Sequence, residues 1–357
     1  TIQNDGVDGW SLVPATNMGN KDITWETSFS WNGGADFELF RHRLNGSIEY
    51  FHRLTKDLLY NKPLPPSRGF RFQPINILDM VNNGFEIDLN GVLVKTNDIE
   101  WSIFGNITWI RNRITNVPEA ANKNQEIIGS TSIFKKGSSI YSAYMREYAG
   151  VDPVTGKALF YVNDPDKPDL ITTDRPEEAK QVDLGTTYAP WYGGFGSTLN
   201  AYGFDLSIQF AYQLGGRLYD DIYQELMHSG QSSMSGYNWH KDILNSWTPE
   251  NKNTDVPRLS FTDDTRQLIS SRFLTSSNYL NLNNVVLGYS FPENWLNRVN
   301  IASLRLFVSG DNLALFSVRQ GFDPRANIAL GGPASDNSSG NMYSLLRTFS
   351  GGISIKF

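Results

Sequence analysis

The sequence predicts an all-β fold, the wall of an antiparallel transmembrane β-barrel with long extracellular loops that carry short helices. Three observations predict it. Hydropathy alternates with a period of two over runs of about 10 to 14 residues, connections alternate between short and long, and the composition favours pleated strands. The 357 residues include 21 Phe, 16 Tyr and 9 Trp, whereas charged residues make up only 19%. Asn, Ser, Thr and Gly carry the polar weight, which suits strands, a watery lumen and loops.

The alternation is clearest in the segment 101–112. Trp101, Ile103, Gly105, Ile107 and Trp109 fall on one face, and Ser102, Asn106, Thr108 and Asn112 on the other. Phe204, Leu206, Ile208, Phe210 and Tyr212 separate in the same way from Asp205, Ser207, Gln209 and Gln213. So do Phe85, Ile87 and Leu89 from Glu86, Asp88 and Asn90, and Phe349, Gly351, Ile353, Ile355 and Phe357 from Thr348, Ser350, Ser354 and Lys356. A soluble β-sandwich also alternates, but its strands run about 5 to 6 residues. The longer runs here are what a steeply tilted strand needs to cross a bilayer.

Trp101 and Trp109 share the apolar face eight residues apart. At about 3.3 Å per residue they stand roughly 26 Å apart, close to the apolar band of about 25 Å, so both are candidate membrane-interface residues. An indole suits that position because it joins an apolar body to an N–H that seeks water or headgroups.

Strands are expected at 24–34, 43–56, 81–95, 99–114, 191–201, 203–216, 278–291, 301–314 and 343–357. Short links at 96–98 and 201–203 alternate with long connections at 57–80, 115–190, 217–277 and 315–342. Bacterial barrels have short periplasmic turns and long extracellular loops, so this parity puts every long connection on one side and the chain terminus on the periplasmic side. Helical turns are expected at 219–227 and 237–247, a turn at 152–156, and mobility at 331–341. About nine strands leave two open edges, which lipid does not tolerate, so further strands are expected to complete the barrel.

Other classes are poorly served. No run approaches the roughly 18 apolar residues of a membrane-spanning helix, which leaves barrels open. With a net charge of -6 and no basic run longer than a pair such as Lys135-Lys136, nucleic acid is not an expected partner. Cysteine is absent, so disulfides and thiolate metal sites are excluded. The start, TIQNDGVDGW, lacks the basic and apolar regions of a signal peptide, and the chain reads as a fragment or processed piece.

Catalytic patterns are missing too. His42, His52, His228 and His240 show no metal-binding spacing, so neither metal nor cofactor is expected. The glycines of Gly193-Gly194-Phe195-Gly196 lie inside an alternating strand, where they allow close strand approach; no dinucleotide loop is implied. The acidic pairs Asp220-Asp221, Glu177-Glu178 and Asp263-Asp264 read as solvated loop charge, and no nucleophile elbow is present. The reading is therefore not an enzyme. Tyr237, Trp239 and Trp247 are the candidate substrate- or partner-binding residues, able to stack on sugars or a partner protein or simply to pack the loop.

Several stretches resemble SusC/RagA-type TonB-dependent transporters. They are Asn20-Lys21-Asp22-Ile23-Thr24-Trp25-Glu26, Asn83-Gly84-Phe85-Glu86-Ile87 and Tyr148-Ala149-Gly150-Val151-Asp152-Pro153, followed by Trp247-Thr248-Pro249-Glu250-Asn251 with Asp255-Val256-Pro257-Arg258. Ser277-Asn278-Tyr279-Leu280, Leu287-Gly288-Tyr289-Ser290 and Asp311-Asn312-Leu313 continue the series. Terminal Phe357 is similar to the C-terminal aromatic that serves outer-membrane barrels as an assembly signal.

The resemblance implies that residues 1–357 are the C-terminal portion of a plugged barrel of about 22 strands in a Gram-negative outer membrane. It also implies a plug and a TonB-contacting segment in a missing N-terminal part, outer-membrane lipid around the wall, and a SusD-like surface lipoprotein over the long loops. The implied activity is import of an oligosaccharide or oligopeptide. A passive porin or adhesin barrel, or a soluble β-rich glycan-binding module, are the alternatives.

Overall fold

The computed structural model describes residues 2–4, 10–12, 17–119, 124–129, 131–230, 236–318, 322–325 and 344–357. Nine strands form one continuous meander in which each pairs antiparallel with the next in sequence. They are β1 (Thr27–Leu39), β2 (Leu44–Pro63), β3 (Phe72–Lys95), β4 (Ile99–Asn116), β5 (Trp191–Ala201), β6 (Phe204–Leu214), β7 (Tyr279–Ser290), β8 (Ser303–Ser317) and β9 (Thr348–Lys356). All nine expected strands are present, and the expected short links at 96–98 and 201–203 are tight turns.

One connection differs from expectation. The stretch 57–80 is mostly strand, because β2 runs on to Pro63 and β3 begins at Phe72. A β-bulge between Thr55 and Leu58, with Asp57 at φ 57°, breaks the period-two pattern there and hides the continuation. The bulge is held by the Asp57 N–H donating to Asp79 Oδ1 at 2.9 Å and by Asn76 Nδ2 donating to the Asp57 carbonyl at 2.7 Å. Beyond it Ile77 and Leu78 pack with Ile114 and Val117 in a buried cluster supported by Leu58, Tyr60 and Phe134.

The expected small elements appear in the long connections. A helix α1 (Asp221–Leu226) is capped by the Asp220 carboxylate accepting from the Tyr223 N–H at 2.9 Å, and a 3₁₀ turn spans Lys241–Asn245. The turn at 152–156 joins the strands Tyr148–Val151 and Ala158–Tyr161. A second helix, α2 (Glu293–Leu296), sits in the link between β7 and β8. The stretch 331–341 lies outside the described residues.

Register keeps the two faces of the wall distinct across many strands. Trp101, Leu199, Leu206, Leu287, Val308 and Gly351 are successive cross-strand neighbours from β4 to β9. One residue along, Ser102, Thr198, Ser207, Val286, Ser309 and Ser350 form the matching row on the opposite face. A side-chain period of two places every second residue on the same side, so the first row is apolar throughout and the second is polar except for Val286. Gly196 sits where the strands approach closely: a Cβ there would lie 2.5 Å from both the Ile208 carbonyl and the Phe104 ring.

The wall encloses no core of its own. Among the described residues every buried apolar side chain lies on the long-connection side except Leu296 of α2. On the wall, Trp31, Val308, Phe349 and Ile353 remain 49%, 59%, 76% and 67% exposed. Soluble monomers rarely expose contiguous apolar patches of this extent, whereas a lipid-facing wall must.

Candidate functional site

The outward face carries an aromatic row at its long-connection end. Tyr50, Phe85, Trp109 and Trp191 are successive cross-strand neighbours on β2 to β5. The Phe85 ring lies 5.5 Å from both Trp109 and Trp191, and Trp31 lies 5.4 Å from Tyr50. Two residues further along, the same face becomes polar at His52, Asn83 and Arg111. Trp109 therefore sits where apolar surface gives way to polar. Trp101 lies toward the opposite end of the face, 41% exposed, with its indole N–H donating to Ser197 Oγ at 2.8 Å. Phe357 follows β9 and is 87% exposed.

On the long-connection side, the stretch between β4 and β5 and the stretch between β6 and β7 build one cap. The strand Ser142–Arg146 pairs with Gln181–Thr186, and Arg217–Tyr219 pairs with Leu274–Ser276. Backbone and side chains then lock the two stretches together. The Tyr148 N–H donates to Ser271 Oγ at 2.9 Å and its hydroxyl to the Asp255 carbonyl at 2.8 Å. The Arg258 N–H donates to the Gly156 carbonyl at 2.8 Å, and the Trp247 indole N–H to the Pro153 carbonyl at 3.3 Å.

Two arginines lie beneath this seam. Arg266 is 2% exposed, and it donates to the Arg258 carbonyl at 3.3 Å and to Ser246 Oγ at 3.4 Å. Arg272 donates to the Arg266 carbonyl at 2.6 Å and lies over the rings of Tyr148 and Phe273 at 5.6 and 5.2 Å. Burial, and secondarily the neighbouring Arg272, lowers the Arg266 pKa to about 10, which still leaves it charged at neutral pH. Burial pushes the Tyr148 hydroxyl up to about 12. Beside the seam a cleft of about 520 Å³ is lined by Gly150, Asn245, Asn251, Asn253, Thr254 and Asp255. Its amides, hydroxyl and carboxylate can exchange hydrogen bonds with hydroxyl-rich or peptide-like ligands.

The three aromatic loop candidates take different partners. Trp247 packs against Gly156 and bridges to Pro153, so it belongs to the seam. Trp239 is 45% exposed and stacks on His228 at 5.0 Å, its indole N–H donating to the His228 carbonyl at 3.1 Å. Tyr237 is 54% exposed. Phe261, which the sequence reading missed, lies with Trp239 against Gly230 and is 68% exposed. No periodicity marks it, because the juxtaposition arises from loop folding. The histidines are dispersed: His42 pairs with Glu38, His52 stacks on Trp31, His228 on Trp239, and His240 meets Tyr223 edge-on.

A two-faced meander of long strands whose folded connections, α2 apart, stand on one side defines an outer-membrane β-barrel wall. Comparison with known proteins gives the particular kind. Residues 5–135 match the family model described as TonB dependent receptor-like, beta-barrel. TonB-dependent receptor P3 of Formosa agariphila is 30% identical, over 97% of this chain and 35% of that protein. TonB-dependent receptor SusC of Bacteroides thetaiotaomicron is 24% identical over 95% of this chain and 32% of its own length. The structure of the RagAB peptide transporter superposes with a TM-score of 0.83 at 28% identity, covering 100% of this chain and 38% of that one. The RagAB peptide importer in its open-open state superposes with a TM-score of 0.81, also at 28% identity, covering 100% of this chain and 37% of that one. The chain is a TonB-dependent receptor β-barrel of the SusC/RagA type, an outer-membrane class of receptors and transporters and not of enzymes. It spans about a third of the length of the relatives it matches.

Proposed function

We propose that this chain supplies barrel wall and outer cap to a TonB-dependent importer that takes an oligosaccharide or oligopeptide across the outer membrane with a SusD-like lipoprotein. The observation that carries the proposal is the wall itself. One face suits lipid, the other suits an aqueous lumen, and the large folded loops stand on a single side where cargo and a lid would arrive. The likeness to SusC and to the RagAB peptide importer supports it.

In this reading residues 1–357 are the C-terminal portion of the barrel. The remainder of the protein supplies the strands that close it, the plug, and the segment that contacts TonB. The free edges at β1 and β9 favour such completion, since each unsatisfied backbone group facing lipid costs several kcal/mol. Trp239 and Tyr237, joined by Phe261, are the exposed aromatic contacts for cargo or lid, while Trp247 acts through the seam. Trp101 and Trp109 mark the two membrane interfaces, and Phe357 is the assembly signal.

The test is uptake by whole cells together with purification from outer membranes. The proposal expects detergent-dependent recovery of the whole protein with a surface lipoprotein, and uptake that stops when TonB is removed. Recovery as a detergent-free soluble monomer would overturn it, and uptake indifferent to TonB would make the barrel a porin.

A further inference from the structure

The turn between β1 and β2 is built unlike the others at the short-link end. Phe40, Arg41 and His42 all adopt left-handed backbone, with φ of 55°, 54° and 67°. For residues other than glycine that conformation costs roughly 1–2 kcal/mol each, and observed strain of this kind is a pointer to function. The turn is fixed at both ends. Leu39 pairs with Leu44 beneath it, and the Arg43 carbonyl accepts from the Val92 N–H of β3 at 2.7 Å.

Its side chains form a cationic and apolar tip. Phe40 is 73% exposed, and Arg41, His42 and Arg43 are exposed around it. Glu38 is occupied by His42. Among the described residues no carboxylate lies within ion-pairing distance of either arginine, whereas Lys95 on the adjacent turn is paired with Glu100 at 3.4 Å. Exposed rings mark the same end of the sheet farther along it: Tyr202 in the β5–β6 turn at 71%, Phe204 at the start of β6 at 52%, and Trp295 on α2 at 60%. Aromatic rings of this kind settle at the level of lipid headgroups.

We infer that Arg41 and Arg43, with Phe40 between acyl chain and headgroup, form a binding site for an anionic phospholipid of the membrane leaflet on the short-link side. A planar guanidinium matches a phosphate with two parallel hydrogen bonds, and among the described residues neither arginine of the pair has a carboxylate partner. The position favours lipid over a protein partner, because the tip continues the outward apolar face that ends at Leu39 and Leu44, where the phosphates of a bilayer lie.

Native mass spectrometry of the whole protein, purified in mild detergent, tests this by titration with phosphatidylglycerol and with phosphatidylcholine of the same acyl chains. Phosphatidylglycerol should bind on the order of tenfold better, and Arg41→Gln with Arg43→Gln should reduce it to the phosphatidylcholine level. Arg68→Gln, on the long-connection side, should leave the preference unchanged, and gel mobility before and after heating checks that each variant folds. Equal binding of the two lipids by the unaltered protein overturns the inference without any variant. Undiminished preference in the double variant does the same. Full displacement by millimolar inorganic phosphate would make the turn a free-anion site, and loss of a co-purifying periplasmic protein with unchanged lipid binding would assign it to a protein partner; both results reject the lipid site.

Discussion

Arg305 on β8 reaches across β7 to Asp205 on β6, donating from Nε to Oδ1 at 2.9 Å and from Nη2 to Oδ2 in a two-pronged pair. The strand between them passes underneath at Gly288, where a Cβ would lie 2.4 Å from Asp205 Oδ1 and 2.6 Å from Arg305 Nη2. The residue of the middle strand thus decides whether the outer two can join.

Gly288→Ala should therefore loosen the pair. Both side chains are about a third exposed, at 35% and 30%, so the loss should be modest, on the order of 1 kcal/mol. Thermal unfolding of the whole protein in micelles reads it. In an Asp205→Ala, Arg305→Ala background the glycine change should cost much less, and equal cost in both backgrounds would disprove the bridging role.

Gly351→Arg and Ile353→Asp should impair membrane assembly, since both positions follow Trp101 and Val308 on the outward face. An arginine at the midplane costs about 2–4 kcal/mol, whereas changes at Ser350 or Ser354 point into water and should be mild. Surface labelling of intact cells measures the outcome; normal levels of both outward variants would reverse the facing.

Trp247 and Trp239 should separate by phenotype. Trp247→Ala removes the ring between Pro153 and Gly156, and should destabilise the cap by about 2 kcal/mol with faster proteolysis at both 152–158 and 245–258. Trp239→Ala leaves that seam intact, and should lower retention of cargo or lid several-fold with unchanged proteolysis. Cleavage confined to one stretch in the Trp247 variant would show that the seam does not couple them.

The cap should also weaken in strong alkali. Burial raises the Tyr148 hydroxyl from 10.0 to about 12, so the folded cap holds this proton more firmly than the unfolded chain. The associated stability is complete below pH 10 and is lost as pH climbs through about 12. Proteolysis of the cap across that window should accelerate, and Tyr148→Phe should remove part of the dependence. An identical pH profile in the variant would place the effect elsewhere.

The wall was legible because lipid and water impose a strict period of two, and rows such as Trp101 to Gly351 obey it. It became illegible at Asp57, where a bulge shifts the phase and a strand resembles a loop. The cap was readable only in fragments, since its seam joins Tyr148 to Ser271 and Asp255 across more than a hundred residues and no local pattern encodes such contacts. Some of the family-like stretches sit at such junctions, where Asn20 Nδ2 donates to the Pro74 carbonyl at 2.9 Å and Trp247, Arg258 and Asp152 meet at the seam, and others, such as 83–87 and 287–290, lie within wall strands. They mark scaffolding, which explains why they identify the architecture while leaving the cargo unnamed.

Side-chain packing concentrated beyond one rim gives the molecule two kinds of cohesion. Ladder hydrogen bonds closed by the surrounding bilayer hold the ribbon, and ordinary oil-drop burial around Phe160, Met227 and Phe273 holds the crown. Calorimetry on the intact protein should accordingly resolve two endotherms. Urea would erase the cooler one first, and a change of acyl-chain length would shift only the hotter.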